Sequence, residues 1–308
     1  MDEGYTQSEI GTWKSCRYKW FLSYVQRVTP KVTPTYFEDG SAFHDAQEDR
    51  GNGVSIEDIG TNIRETYKRY IKELKVPMTP KLLESYDKRL AMVQGMFAGY
   101  EAIYPRDEWE VIQCEDEFKV PFQGTFIRGK KDKKVLRGNK VWLVEHKTSS
   151  VISATYVNKL PMDQQTLTYS WADWKQSGDL VEGIVYDVIK KPTIRQKKDE
   201  TRAEFLTRLR NEYITKADKY FFREDLRYTK KQLLKFEENL IKIIHLMQKC
   251  ESNPKEEVYR NEGACDDYGG CMYKSICQKK SLKGPHMQGF FKRPQKHQEL
   301  GESNALDD

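Results

Sequence analysis

Two rhythms of apolar and polar positions divide this chain, a helical one up to about residue 106 and a strand-like one beginning at Trp109. Near the start Ile10, Trp13, Trp20, Phe21 and Tyr24 recur at helical spacing, and Thr6 or Ser8 offers a cap, which predicts a helix to about Val25. Asp39 or Ser41 opens a short helix through "SAFHDAQEDR". Ser55 caps "SIEDIGTNIRETYKRYIKEL", and Thr79 followed by Pro80 opens the helix "TPKLLESYDKRLAMVQGMFAGYEAIY". From Trp109 the period drops to two in "WEVIQCEDEFKV", "GTFIRGKKDKKVLR" and "KVWLVEHKTS", which predicts strands. "MDQQTLTYSWADWKQSG" returns to helix between an Asp163 cap and a Gly178 stop, and "EGIVYDVIKK" is a further strand. The helices "ETRAEFLTRLRNEYI" and "KKQLLKFEENLIKIIHLMQKC" flank a short strand "YFFREDLRY". Together these elements predict an α/β fold, a mixed sheet packed with helices.

At 308 residues, 38% hydrophobic and 32% charged, the chain has ample material for a core under a heavily charged surface. It reads as a single domain over 1–278, with a helical part to about residue 106 and a cysteine-bearing part at about 251–278. Beyond Gln278 the polar, basic tail 279–308 is expected to be mobile. No apolar run is long enough to cross a membrane, and the acidic start "MDEGYTQ" is no signal peptide, so a cytoplasmic location is expected. The formal charge is only +5, but basic residues cluster, as in "RGKKDKKVLRGNK". For any one cluster solvated surface is the simpler account; together they fit a polyanionic partner.

Candidate chemistry starts at "WLVEHKTSS", where a half-buried strand ends by carrying Glu145 and Lys147 on one face and His146 on the other. Gly138-Asn139 is a suitable two-residue hairpin loop. Counting outward pairs Arg137 with Lys140 and Lys133 with Val144, and sets Asp132 against Glu145. Carboxylates so placed, with Cβ atoms about 4.5–5.5 Å apart, repel unless a divalent cation lies between them. A separate set is formed by Cys265, Cys271 and Cys277, with five residues in each gap, a spacing that suits metal or cluster ligation. Cys16, Cys114 and Cys250 are the remaining thiols, of which Cys114 reads as a small buried group.

These residues fall into a known pattern. An aspartate, a hairpin and then Glu145-His146-Lys147 resembles the PD-(D/E)XK nuclease superfamily. Gly40 to His44 matches the G-x-x-x-H motif of its RecB/AddB-type group, which includes the CRISPR-associated adaptation nuclease with an iron–sulfur cluster. Gly129 to Asp132 matches its G-x-x-D, and Gln165 to Tyr169 its Q-x-x-x-Y. Cys16 with the distant cysteine trio resembles its split four-cysteine site. Two departures are visible: family members often space two cysteines of the trio only two residues apart, and the residue before the aspartate is usually apolar. Here it is Lys131, which predicts an exposed sheet edge or a DNA contact.

The resemblance implies a metal-dependent DNA exonuclease using Mg²⁺ or Mn²⁺ on single-stranded DNA or DNA ends in recombination, repair or phage DNA metabolism. His44, Asp132, Glu145 and the His146 carbonyl would hold the ion; Lys147 would act on the nucleophilic water; Gln165 and Tyr169 would support the site or touch DNA. Cys16, Cys265, Cys271 and Cys277 would hold a [4Fe–4S] cluster that joins the N- and C-terminal segments, with zinc as the competing occupant. No ATP-binding loop is present, which implies a separate helicase or recombination protein as partner. The rival readings are a nuclease for CRISPR spacer acquisition and a non-catalytic DNA-end clamp.

Overall fold

A computed structural model describes residues 3–32, 35–74, 76–106, 108–297 and 300. The chain begins with β1 (Tyr5–Thr6), α1 (Gln7–Ser15) and α2 (Arg17–Trp20), then a π-turn over Phe21–Val25 and β2 (Val28–Pro30). Helices α3 (Thr35–Gly51), α4 (Ile56–Glu73) and α5 (Pro80–Ile103) precede the strands β3 (Glu110–Phe122), β4 (Thr125–Arg137) and β5 (Lys140–Ser149). After α6 (Ala154–Lys159) and α7 (Gln164–Ser177) come β6 (Gly183–Lys190), α8 (Arg202–Thr215), α9 (Ala217–Tyr220) and β7 (Phe221–Leu226). The remainder is α10 (Lys230–Ser252), α11 (Pro254–Glu257), α12 (Lys274–Lys279) and β8 (Phe290–Lys292).

Local chemistry sets the boundaries. Ser55, Thr79 and Asp163 each accept main-chain N–H groups in the first turn of α4, α5 and α7, satisfying donors that a helix start leaves orphaned. Gly178, at φ 84°, closes α7 in the left-handed conformation. Between β4 and β5, Gly138 and Asn139 take φ values of 58° and 61°, the pair of positive angles that a tight two-residue hairpin requires. The first helix departs from expectation: it breaks at Cys16, whose φ of −158° and ψ of 113° are extended. The Tyr18 N–H turns to the Tyr259 carbonyl at 3.0 Å, so the cysteine-bearing C-terminal segment replaces the helical bond given up.

The mixed sheet runs β1-β4-β5-β6-β7, with β3 also paired to β4. β3 covers one edge of β4 from Thr125 to Leu136. The opposite edge is shared: β1 takes Ile127 and Arg128, and β5 takes Lys133 to Arg137. Residues 129–132 lie between the two claims, with no strand partner on that edge among the described residues. β5 and β6 are parallel, and β6 and β7 antiparallel. On one face Ile127, Leu143 and Ile184 of the sheet pack with Trp13, Trp171 and Leu240 of α1, α7 and α10. On the other, Phe43, Ile59, Tyr100 and Tyr213 bring α3, α4, α5 and α8 against Ile189. Among the described residues no helix is long and apolar enough to cross a membrane.

Beyond Gln278, where mobility is expected, β8 pairs antiparallel with β2, and Lys296 and His297 reach Glu9 at 2.9 and 3.2 Å. Glu9 is fully buried, and these two side chains of the tail give its carboxyl the polar partners that a buried acid needs. Positions 298, 299 and 301–308 of the tail lie outside the described residues.

The approach of α5 to α8 depends on missing side chains: a Cβ at Gly99 would stand 2.5 Å from the Cβ of Tyr213, and one at Gly95 2.9 Å from that of Leu209. Gly99→Ala should therefore destabilise the fold by about 1–3 kcal/mol through overpacking, although alanine is the better helix former. A melting temperature equal to or above that of the parent would contradict this packing.

Candidate active site

The sheet parts where β1 and β5 fail to meet, and the stretch of β4 without a strand partner on that edge, among the described residues, is Gly129 to Asp132. The hairpin register is the one counted from the sequence as far as Lys133–Val144, but the ladder stops there. At the next step the Asp132 carboxylate, not a main-chain carbonyl, accepts the N–H of His146 at 2.7 Å. Asp132 is thus pinned at the fork of the two strands. His44, on the face of α3 turned to the sheet, places Nδ1 3.4 Å from the same oxygen, Oδ2.

Glu145 follows on β5 and is fully buried, and its Oε2 has no partner among the described residues. The partner of Oε1 is the Lys147 ammonium, an ion pair between side chains two apart on one strand face. Lys147 also donates to Gln165 Oε1 at 2.8 Å, and Gln165 Nε2 donates to the Tyr169 hydroxyl at 2.8 Å. Gln165 and Tyr169 sit four apart on α7, and Tyr169 packs edge-on against Phe118 at 5.8 Å. The fold therefore brings together His44, Asp132, Glu145, Lys147, Gln165 and Tyr169.

Burial and the Asp132 charge push the Glu145 carboxyl up to about 7, against the pull of Lys147. For Asp132 burial acts upward too, but His44, His146 and Lys147 outweigh it and hold the group well below the usual carboxylate range. Burial opposes the His44 cation, yet the Asp132 charge and hydrogen bond raise it. So the two acids divide the work: one stays ionised against a histidine, and the other is driven toward its neutral form. A carboxyl raised in the folded state stabilises the fold below its unfolded value, near 4.5, and loses that contribution as pH rises through about 7.

A hard divalent ion suits this donor set: two carboxylates and an imidazole, with the buried Glu145 Oε2 lacking a partner among the described residues. Among the described residues, no group of three or more His, Cys, Asp or Glu side chains is arranged to hold a metal ion as it stands. Each acid is turned instead to a basic side chain of the protein, Asp132 to His44 and Glu145 to Lys147.

The imidazole of His146 points the other way, into a buried network that the sequence reading missed. Its Nδ1 lies 3.1 Å from Asp187 Oδ2, while Arg223 Nε donates to Asp187 Oδ1 at 3.0 Å and the Tyr100 hydroxyl donates to Oδ2. Burial drives His146 down to about 4, so it is neutral and its Nδ1–H faces the carboxylate. This ties β5 to β6, β7 and α5 directly behind the site. The available signal was Asp187 itself, an acid in the middle of the apolar strand "VYDVI".

Lys131, expected at an exposed edge or on DNA, is instead 2% exposed and paired with Asp116 at 2.6 Å and Asp173 at 2.8 Å. Its neighbours are similarly engaged, Lys130 with Glu115, Lys134 with Asp173, and Arg137 with Asp225. Most of the basic run on β4 is thus spent on internal ion pairs, and Lys133 is buried.

Away from this site, Cys16, Cys265, Cys271 and Cys277 line one small cavity of about 180 Å³ with Tyr18, Leu22 and Tyr273. All four are free thiols, and Cys16 Sγ accepts the Asn261 N–H at 3.4 Å. Cys114 and Cys250 lie elsewhere, Cys114 against Gly51 of α3 and Cys250 buried in α10.

A family model described as the PD-(D/E)XK nuclease superfamily matches residues 5–278. The crystal structure of SSO0001 is similar over 72% of this chain and 81% of that one, at 13% identity and a TM-score of 0.32. No curated protein matches the chain.

Proposed function

The chain belongs to the PD-(D/E)XK nuclease superfamily, and from that premise we propose that it is a metal-dependent DNA exonuclease acting at single-stranded ends. The observation that carries the metal chemistry is the buried Glu145 carboxylate, beside a second acid and with its Oε2 lacking a partner among the described residues. Such a site favours a dication over either acid alone. His44, Asp132 and Glu145 would hold Mg²⁺ or Mn²⁺, with the His146 carbonyl as a further oxygen ligand. When bound, the ion supplies Lewis-acid polarisation of the phosphate and a more acidic water.

The chain's own residues do the rest. Lys147 carries a compact positive charge that can orient the attacking water or hold the scissile phosphate. Gln165 fixes that ammonium through its amide oxygen, and Tyr169 fixes Gln165. The neutral His146, locked on Asp187, keeps the strand end rigid so that the main chain meets Asp132 in one register.

The four cysteines are read as ligands of a [4Fe–4S] cluster, a reading supported by their shared cavity. Cys16 and Cys277 lie near opposite ends of the chain, so a clip between them restricts most of the unfolded ensemble. Unpaired thiols also suit a reducing, cytoplasmic setting.

End-labelled single- and double-stranded DNA, incubated with Mg²⁺, Mn²⁺ or EDTA, tests the activity. Glu145→Ala and Lys147→Ala are expected to fold and bind DNA while losing cleavage by about 100-fold or more. Undiminished cutting by both variants would overturn the assignment. Anaerobically purified protein should be brown, and Cys16→Ala should lose that colour and melt lower. Colourless parent protein carrying zinc, or an unchanged spectrum in the variant, would remove the cluster reading.

A further inference from the structure

Lys130, Lys131 and Lys134 of β4 are held in ion pairs and Lys133 is buried, so positive charge open to a phosphate strand is sought beyond this run. A groove of about 540 Å³ lies between α1 and the turn that leads into α7, and Lys14 and Lys159 line it together with Met162, Asp163 and Gln164. Lys14 donates to the Gln164 amide oxygen at 2.6 Å, and neither lysine has an ion-pair partner among the described residues. Asp163, whose carboxylate accepts the N–H groups of Gln165 and Thr166 at the start of α7, is the one acid of the lining, so the two lysines outnumber it. Met162 is 70% exposed, a large apolar side chain at the rim. The groove and the site are joined through α7: Gln164 accepts from Lys14 in the groove, and the next residue, Gln165, accepts from Lys147.

We propose that this groove holds the single-stranded part of the DNA substrate next to the scissile bond, Lys14 and Lys159 contacting phosphates and Met162 meeting an unstacked base. The inference rests on the nuclease reading and adds to it the strand's path and the preference for one strand. Lys14 and Lys159 stand on different elements, α1 and α6, and the exposed Met162 offers an apolar contact to a base face, which a duplex keeps stacked inside. Phosphate contacts provide salt-dependent affinity, and apolar contact with a base face tolerates any sequence.

Binding of a fluorescein-labelled oligothymidylate and of a duplex of equal length, in EDTA across a salt series, tests the proposal on the full chain. Removing both charges with Lys14→Gln and Lys159→Gln should make the slope of log K against log salt shallower by about 1.4 for the single strand, from ~0.7 per contact. Duplex binding should change less, and Met162→Ala should weaken single-strand binding at unchanged salt slope. An unaltered slope in the double variant, or an equal change for duplex, overturns the groove. If the parent cuts DNA while the groove variants bind as it does, only this inference fails; a parent that neither binds nor cuts DNA removes the nuclease reading as well.

Discussion

Two strands compete for one edge of β4, and neither reaches the middle of it. β1 takes Ile127 and Arg128, β5 takes Lys133 onward, and the four residues between them are the only reason an aspartate can sit inside a sheet with its carboxylate on another strand's main chain. If β5 continued the ladder by one more pair, the His146 N–H would have less need of a side-chain acceptor. The fork therefore fixes Asp132, and the alternation of β5 then fixes Glu145 and Lys147 on one side and His146 on the other.

Charge is distributed around this fork in an orderly way. Behind it, His146, Asp187, Arg223 and Tyr100 form a closed, buried network, and breaking such a set by removing one partner typically costs about 3–5 kcal/mol. Beside it, Lys131 and Lys134 share Asp173 of α7, which clamps the helix bearing Gln165 and Tyr169 onto the sheet. In front, Glu145 keeps a buried oxygen, Oε2, without a partner among the described residues. That incompletely satisfied acid lies where chemistry is expected.

Much of this was legible in the residues. Caps at Ser55, Thr79 and Asp163 and the Gly138-Asn139 turn are local signals, and local signals survive folding. The hairpin register followed from the turn, and it carried the acids with it. What escaped depends on contacts between distant segments. Lys131 reads as surface by composition but is buried because two acids, one from β3 and one from α7, converge on it. The break at Cys16 is invisible in the helical period, since it depends on Tyr259 supplying a carbonyl from the far end of the chain. The tail looked solvated because the buried acid it answers, Glu9, is nearly 300 residues away.

Thermal melting of the parent and of Glu145→Gln, with and without Mn²⁺ at about pH 5 and 8, addresses the fork most directly. Since the Glu145 carboxyl is raised to about 7, its ionisation weakens the ion-free fold at the higher pH and creates the ligand that the ion needs. The account predicts that Mn²⁺ raises the melting temperature of the parent at pH 8, does little at pH 5, and leaves Glu145→Gln almost unmoved. Equal stabilisation of parent and variant at pH 8, or none in either, would contradict a dication held between Asp132 and Glu145.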